Sequence, residues 1–141
     1  MIEQIVNFLL ECPVLEKNGI NVNYLDGKVG SYSLESRSGD SVVKRYADGG
    51  VLCEKRFALA LRRENSAAYG RNINVARDCE QIEAWLREQS EKGLLPQMDM
   101  DVIPCLLEVA KGFAITHTAS VDVRLEAELR FVFYTDKKVL V

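Results

Sequence analysis

Residues Val121–Phe133 alternate almost without error between apolar and charged side chains. Val121, Val123, Leu125, Ala127, Leu129, Phe131 and Phe133 fall on one side; Asp122, Arg124, Glu126, Glu128 and Arg130 fall on the other. A period of two is that of a β-strand, so the pattern predicts a sheet with one dry face and one face of mixed charge. At about 3.3 Å per residue the strand spans roughly 40 Å, about twice the usual length. A chain of 141 residues does not need so long a strand to close one core. A long strand with a mixed-charge face suits assembly between subunits.

The surrounding sequence completes an α+β domain. Ile2, Ile5, Val6 and Leu9 follow helical spacing, so residues 2–11 read as an amphipathic helix stopped by Pro13. Ile20, Val22 and Tyr24 alternate with asparagines as a half-buried strand, and Asp26-Gly27 marks a turn. Residues 31–35 predict a strand with Tyr32 and Leu34 inward, followed by a polar loop over 36–40. Residues 41–46 and 51–63 flank Asp48-Gly49-Gly50 as a hairpin, with Phe57, Leu59 and Leu61 on one face and Arg56, Ala58, Ala60 and Arg62 on the other. Val75, Cys79, Ile82 and Leu86, widened by Trp85, form the stripe of the main helix, with Asn72 or Asn74 as N-cap and Gly93 as terminator. Glu83 and Arg87 are spaced for a wet-face pair. Beyond a polar linker at 96–101, residues 103–109 and 112–116 read as strand pieces interrupted at Lys111-Gly112, with a helical turn over 102–111 as the alternative. The expectation is a single domain, residues 1–141, with a core over 1–135 and a tail over 136–141. Its architecture is a mostly antiparallel or mixed twisted sheet with two main helices packed on one face.

Composition narrows the function. With 48% hydrophobic and 28% charged residues the chain can bury a core. A formal charge of −3 argues against broad nucleic-acid or acidic-membrane binding. No apolar run approaches the roughly 20 residues of a membrane span, and the start Met1-Ile2-Glu3-Gln4 is unlike a signal peptide, so a cytoplasmic location is expected. Cys12, Cys53, Cys79 and Cys105 are scattered without zinc-ligand spacing and read as buried apolar thiols, although two disulfides are open to a secreted chain.

Candidate chemistry is sparse. Gly39-Asp40-Ser41-Val42 resembles the start of a Gly-Asp-Ser-Leu hydrolase block, but the sole histidine, His117, has Ala114 three residues before it where that chemistry needs Asp. A turn is the stronger reading, and a small serine hydrolase using Ser41 is kept as an alternative. A dimeric host binding module is another. Asp99 and Asp101 fall short of a calcium loop. Lys44-Arg45, Arg62-Arg63 and Lys137-Lys138 are diluted by acids and read as solvated strand ends. Arg62 and Arg63 become notable only if several copies converge them on a ring lumen. No metal, cofactor or catalytic set is expected.

Asn21-Val22-Asn23-Tyr24-Leu25 and Val43-Lys44-Arg45-Tyr46-Ala47-Asp48-Gly49-Gly50 resemble blocks of a family of small prophage proteins. So do Trp85, Gln89, Gly93-Leu94-Leu95-Pro96 and Leu129-Arg130-Phe131-Val132-Phe133-Tyr134. These are the minor capsid or tail-completion proteins of long-tailed phages of Gram-positive bacteria, and the similarity spans about residues 2–134. Some members carry the label chloramphenicol resistance protein. The His-His-x-x-x-Asp-Gly block of that acetyl transfer is missing here, where Val121-Asp122-Val123 follows the one histidine. The resemblance implies a non-enzymatic part of tail completion or head–tail joining. Related tail terminators form rings, commonly hexamers, that cap the tail tube and dock the head connector. The implied partners are other copies, tail-tube and connector proteins, with no sequence-specific nucleic acid and at most passive contact with passing DNA. The implied locations are the host cytoplasm during assembly and then the virion. Asp48, Gly49 and Gly50 with Asp122, Arg124, Glu126, Glu128 and Arg130 are the expected subunit interface, a closing heterologous contact.

Overall fold

A computed structural model describes residues 1–37, 41–66 and 69–136, with only the backbone of Tyr69 and Arg71. Gly39, Asp40 and the tail beyond Asp136, including Lys137 and Lys138, lie outside the described residues. The order is α1 (Ile2–Leu9), α2 (Pro13–Asn18), β1 (Asn21–Val22), β2 (Tyr32–Ser36), β3 (Ser41–Arg45), β4 (Val51–Glu64), α3 (Tyr69–Glu91), β5 (Ile103–Thr118) and β6 (Asp122–Thr135). The six strands form one mixed sheet in the order β1-β2-β4-β6-β5, with β3 beside β4 on the same edge as β2. All pairings are antiparallel except β1 with β2. β6 therefore lies between β4 and β5, which run parallel to one another and are joined by α3.

The α+β expectation holds, and the period-two pattern places its residues as read. Phe57, Leu59, Leu61, Leu129, Phe131 and Phe133 are buried with Tyr32 and Leu34 on the face that the helices cover. Ile5 and Leu9 of α1, Leu15 of α2, and Cys79, Ile82 and Leu86 of α3 close the same core. Trp85 packs on Phe8 with ring centroids 5.4 Å apart, a core anchor. Gly93, at φ +70, ends α3: the Leu94 N–H donates to Gln89 O at 2.9 Å, the six-to-one bond of a glycine cap.

Several local expectations are corrected. Pro13 does not merely stop the first helix; it opens α2, because a proline at the first helical position gives up an N–H that has no partner there anyway. The strand expected around Ile20, Val22 and Tyr24 shrinks to two exposed residues, since Asn23 takes a left-handed φ of +51 and turns Tyr24 out to 65% exposure. α3 begins at Tyr69, so Asn72 and Asn74 are helix residues and not caps. The Asn72 side chain instead takes Arg63 Nη1 at 3.2 Å and donates to Ser66 O at 2.9 Å. Glu83 does not pair with Arg87. Its Oε1 accepts the Phe113 N–H at 2.8 Å and lies against Gly112, pinning α3 to the middle of β5. β5 is one strand of 16 residues rather than two pieces or a helical turn, and the irregularity read at Lys111-Gly112 is one of four shifts in its register. Cys105 is exposed, unlike the buried Cys12, Cys53 and Cys79, and none of the four is in a disulfide.

Candidate interaction surface

The sheet face opposite the helices has two unlike parts. Rows across β4, β6 and β5 run Arg62–Arg124–His117, Ala60–Glu126–Ala114, Ala58–Glu128–Lys111 and Arg56–Arg130–Glu108. Two of these rows set arginine directly opposite arginine, which alone is destabilising. Carboxylates on diagonal positions resolve both. Arg124 Nη2 donates to both carboxylate oxygens of Glu35 at 2.8 Å and to Glu126 at 2.9 Å, and Arg37 also pairs with Glu126. Glu54 sits between Arg56 and Arg130, 3.0 Å from the latter. Arg130 takes Glu108 and Arg56 takes Glu128, each at 3.1 Å. Arg62 takes Asp122 at 2.7 Å, and its Nε donates to Asp26 O at 2.9 Å.

The expected interface residues Asp122, Arg124, Glu126, Glu128 and Arg130 are thus brought together, but their charges are engaged within the chain. Among the described residues the face sets Arg37, Arg56, Arg62, Lys111, Arg124 and Arg130 against Glu35, Glu54, Glu108, Asp122, Glu126 and Glu128, a balance of charge. Burial pushes Glu126 upward, but the guanidinium of Arg124 outweighs it and holds the carboxyl below its ordinary range. Glu54 is held low in the same way by Arg56 and Arg130. Alternation reveals which face a residue occupies, but not its cross-strand neighbour, so Glu35, Arg37, Glu54 and Glu108 were beyond its reach.

Arg62 and Arg63 leave opposite faces of β4. Arg62 is bound to Asp122, whereas Arg63 lies on the helix side, where its Nη1 donates to Glu64 O at 2.9 Å and to Asn72. They do not form one basic spot within a single copy.

The remaining part of this face, next to the β3–β4 hairpin, is apolar apart from Glu54, which reaches the lattice arginines Arg56 and Arg130. Its rows are Glu54–Val132–Leu106 and Leu52–Tyr134–Ile103. Tyr46 continues it, since its N–H donates to Gly50 O at 2.9 Å and its ring meets Tyr134 edge-on at 5.8 Å. Gly50 allows the ring to lie close: a Cβ on it would stand 1.9 Å from Tyr134 Oη, so the phenol would have to shift. The hairpin turn is held by Asp48, whose Oδ1 accepts the Gly50 N–H at 2.9 Å, and by Gly49 at φ +94. Tyr46 is 40% and Ile103 56% exposed. Asp48, Gly49 and Gly50, singled out from the sequence, therefore border an apolar patch that the sequence reading missed. A signal for it existed: Val132 and Tyr134 occupy the positions of β6 that continue the charged series, and so break it.

The hydrolase elements do not meet. Ser41 lies on the row of Val132 and His117 on the row of Arg124, eight residues apart along β6, or about 26 Å. No group of three His, Cys, Asp or Glu among the described residues is placed to hold a metal ion. No helix among them is long and apolar enough to cross a membrane. No protein-family model matches the chain, and no curated protein matches it.

Proposed function

We propose that this chain is a non-enzymatic structural protein of a phage or prophage virion, acting in tail completion or head–tail joining as a ring that caps the tail tube. The observation that carries this reading is where the resembling blocks meet. Residues 43–50 and 129–134 are some 80 positions apart, yet Tyr46, Gly50 and Tyr134 touch one another and form the border of the apolar patch. A side-chain set that costs exposure of aromatic and aliphatic surface at a hairpin tip suits docking to another protein. The neighbouring charge lattice, already paired, supplies a polar border that keeps unrelated partners away. The mechanism is geometric: one rim of the ring matches the tube and the other the connector.

The test is to delete the gene from its lysogen, induce, and image the lysate by electron microscopy. Unjoined heads with uncapped or overlong tails are expected. Particles with normal joined tails would overturn the reading.

A further inference from the structure

We propose that copies of this chain assemble edge to edge, with β3 of one copy against the start of β5 of the next, at the hairpin end of the sheet. The inference rests on the ring reading above and specifies the surface that builds the ring. Among the described residues β3 pairs only with β4 and β5 only with β6, so each leaves one side open to them. All five residues of β3 are exposed.

Three features fit the two edges to each other. First, they are level. Lys44, Leu52, Tyr134 and Ile103 lie on one row across four strands, and Ser41, Glu54, Val132 and Leu106 on another. A contact between level edges adds no step along the strand axis, which is what a closing ring needs and a climbing filament lacks. Second, the directions match. β3, β4, β6 and β5 alternate in direction, so a following β3 set beside β5 continues the antiparallel order. Third, the edges are chemically complementary. β3 carries Val42 and Val43, 40% and 47% exposed, then the exposed Lys44, whose Nζ lies 5.1 Å from the centre of the Tyr46 ring, and the exposed Arg45. The approach to β5 carries Asp99, whose Oδ1 also accepts from Gln4 Nε2 at 3.3 Å, and Asp101, then Ile103 at 56% exposure. In this level register Val42 and Val43 lie against Pro104 and Cys105, Lys44 is opposite Ile103, and Arg45 comes beside Val102, next to Asp101.

Among the described residues only this end of the sheet is so arranged. At the other end the outer strand is β1, two residues long. Pro104, which has no N–H, and the register shifts after Val42 and Pro104 limit the new ladder to a few backbone bonds. The contact therefore depends on side-chain fit, which discourages indiscriminate strand pairing.

Cys105, the exposed thiol on β5, allows a direct test. Val43→Cys is introduced on β3, the protein is oxidised, and products are separated without reductant and mapped by peptide mass spectrometry. A ladder of covalent multimers linked 43 to 105 is expected, lost when Cys105→Ser is added. Val29→Cys, an exposed residue at the opposite end, serves as a control and is expected to give no such ladder. Sedimentation of the unaltered protein runs alongside. Oligomers without a 43–105 link, or equal laddering from Val29→Cys, overturn this interface and leave the ring reading standing. A monomer at every concentration overturns the ring reading and this interface with it.

Discussion

Gly50→Ala isolates the contact on which the patch is built. Gly50 lies outside the left-handed region, so alanine fits its backbone and any cost comes from the new methyl group. That carbon would stand 1.9 Å from Tyr134 Oη, 2.5 Å from Cζ and 2.7 Å from Cε2. Ordinary van der Waals contact needs about 3.5 Å, so the phenol must retreat by roughly 1.5 Å. The phenol is the far end of a rotatable side chain and can move, but only by leaving Tyr46. Losing an aromatic pair costs about 0.5–1.5 kcal/mol and residual crowding adds a comparable amount, so the expected destabilisation is about 1–3 kcal/mol. The assay is urea denaturation of a double-mutant cycle with Tyr134→Ala. In the Tyr134→Ala background the methyl group no longer meets the phenol, and Gly50→Ala should cost less than about 0.5 kcal/mol. Equal costs in the two backgrounds would refute the reasoning.

Other expectations follow from the core, the lattice and the thiols. Leu129→Ala, at a fully buried site, should cost about 2–5 kcal/mol by denaturation, and the half-buried Leu125 about half as much; equal costs would contradict the burial order. Arg124→Glu should lower the denaturation midpoint even of a dilute monomer, because it sets a third carboxylate beside Glu35 and Glu126; an unchanged midpoint would show the lattice to be idle. Glu54 and Glu126 are held below their ordinary range when folded, so their contribution is present above the unfolded carboxyl pKa of about 4.3 and lost as pH falls through the lower folded values. The urea midpoint should therefore fall between neutral and strongly acid pH, and this part of the fall should shrink when both are replaced by glutamine. Burial, with Glu83 and Asp78, pushes the Cys79 thiol up to about 12, and burial also raises Cys12. Thiol reagents should modify Cys105 in the native protein well before the other cysteines, and fast labelling of Cys79 would contradict this.

Much of the architecture was legible because it depends on period. The spacing of Val123 to Phe133 and of Phe57 to Leu61 fixes which side is dry, and the β6 and β4 faces came out accordingly. Gly93 and the Asp48-Gly49-Gly50 turn were legible because positive φ selects glycine. What failed was tertiary. The start of α3 at Tyr69 and the exposure of Tyr24 depend on neighbours that periodicity does not name. The same is true of the surface. The charges on β6 were visible, but their partners Glu35, Glu54 and Glu108 come from three other strands. A face that looked available in one strand is largely satisfied in the sheet, and the apolar end that Val132 and Tyr134 mark lay outside the charged series that the reading followed.

The most direct measurement is the native mass of the purified 15.9 kDa chain by mass spectrometry and sedimentation from low micromolar to hundreds of micromolar concentration. The account predicts one closed multimer of defined number, with no continuous series of larger species. A monomer throughout that range, or an open series that keeps growing with concentration, would contradict it.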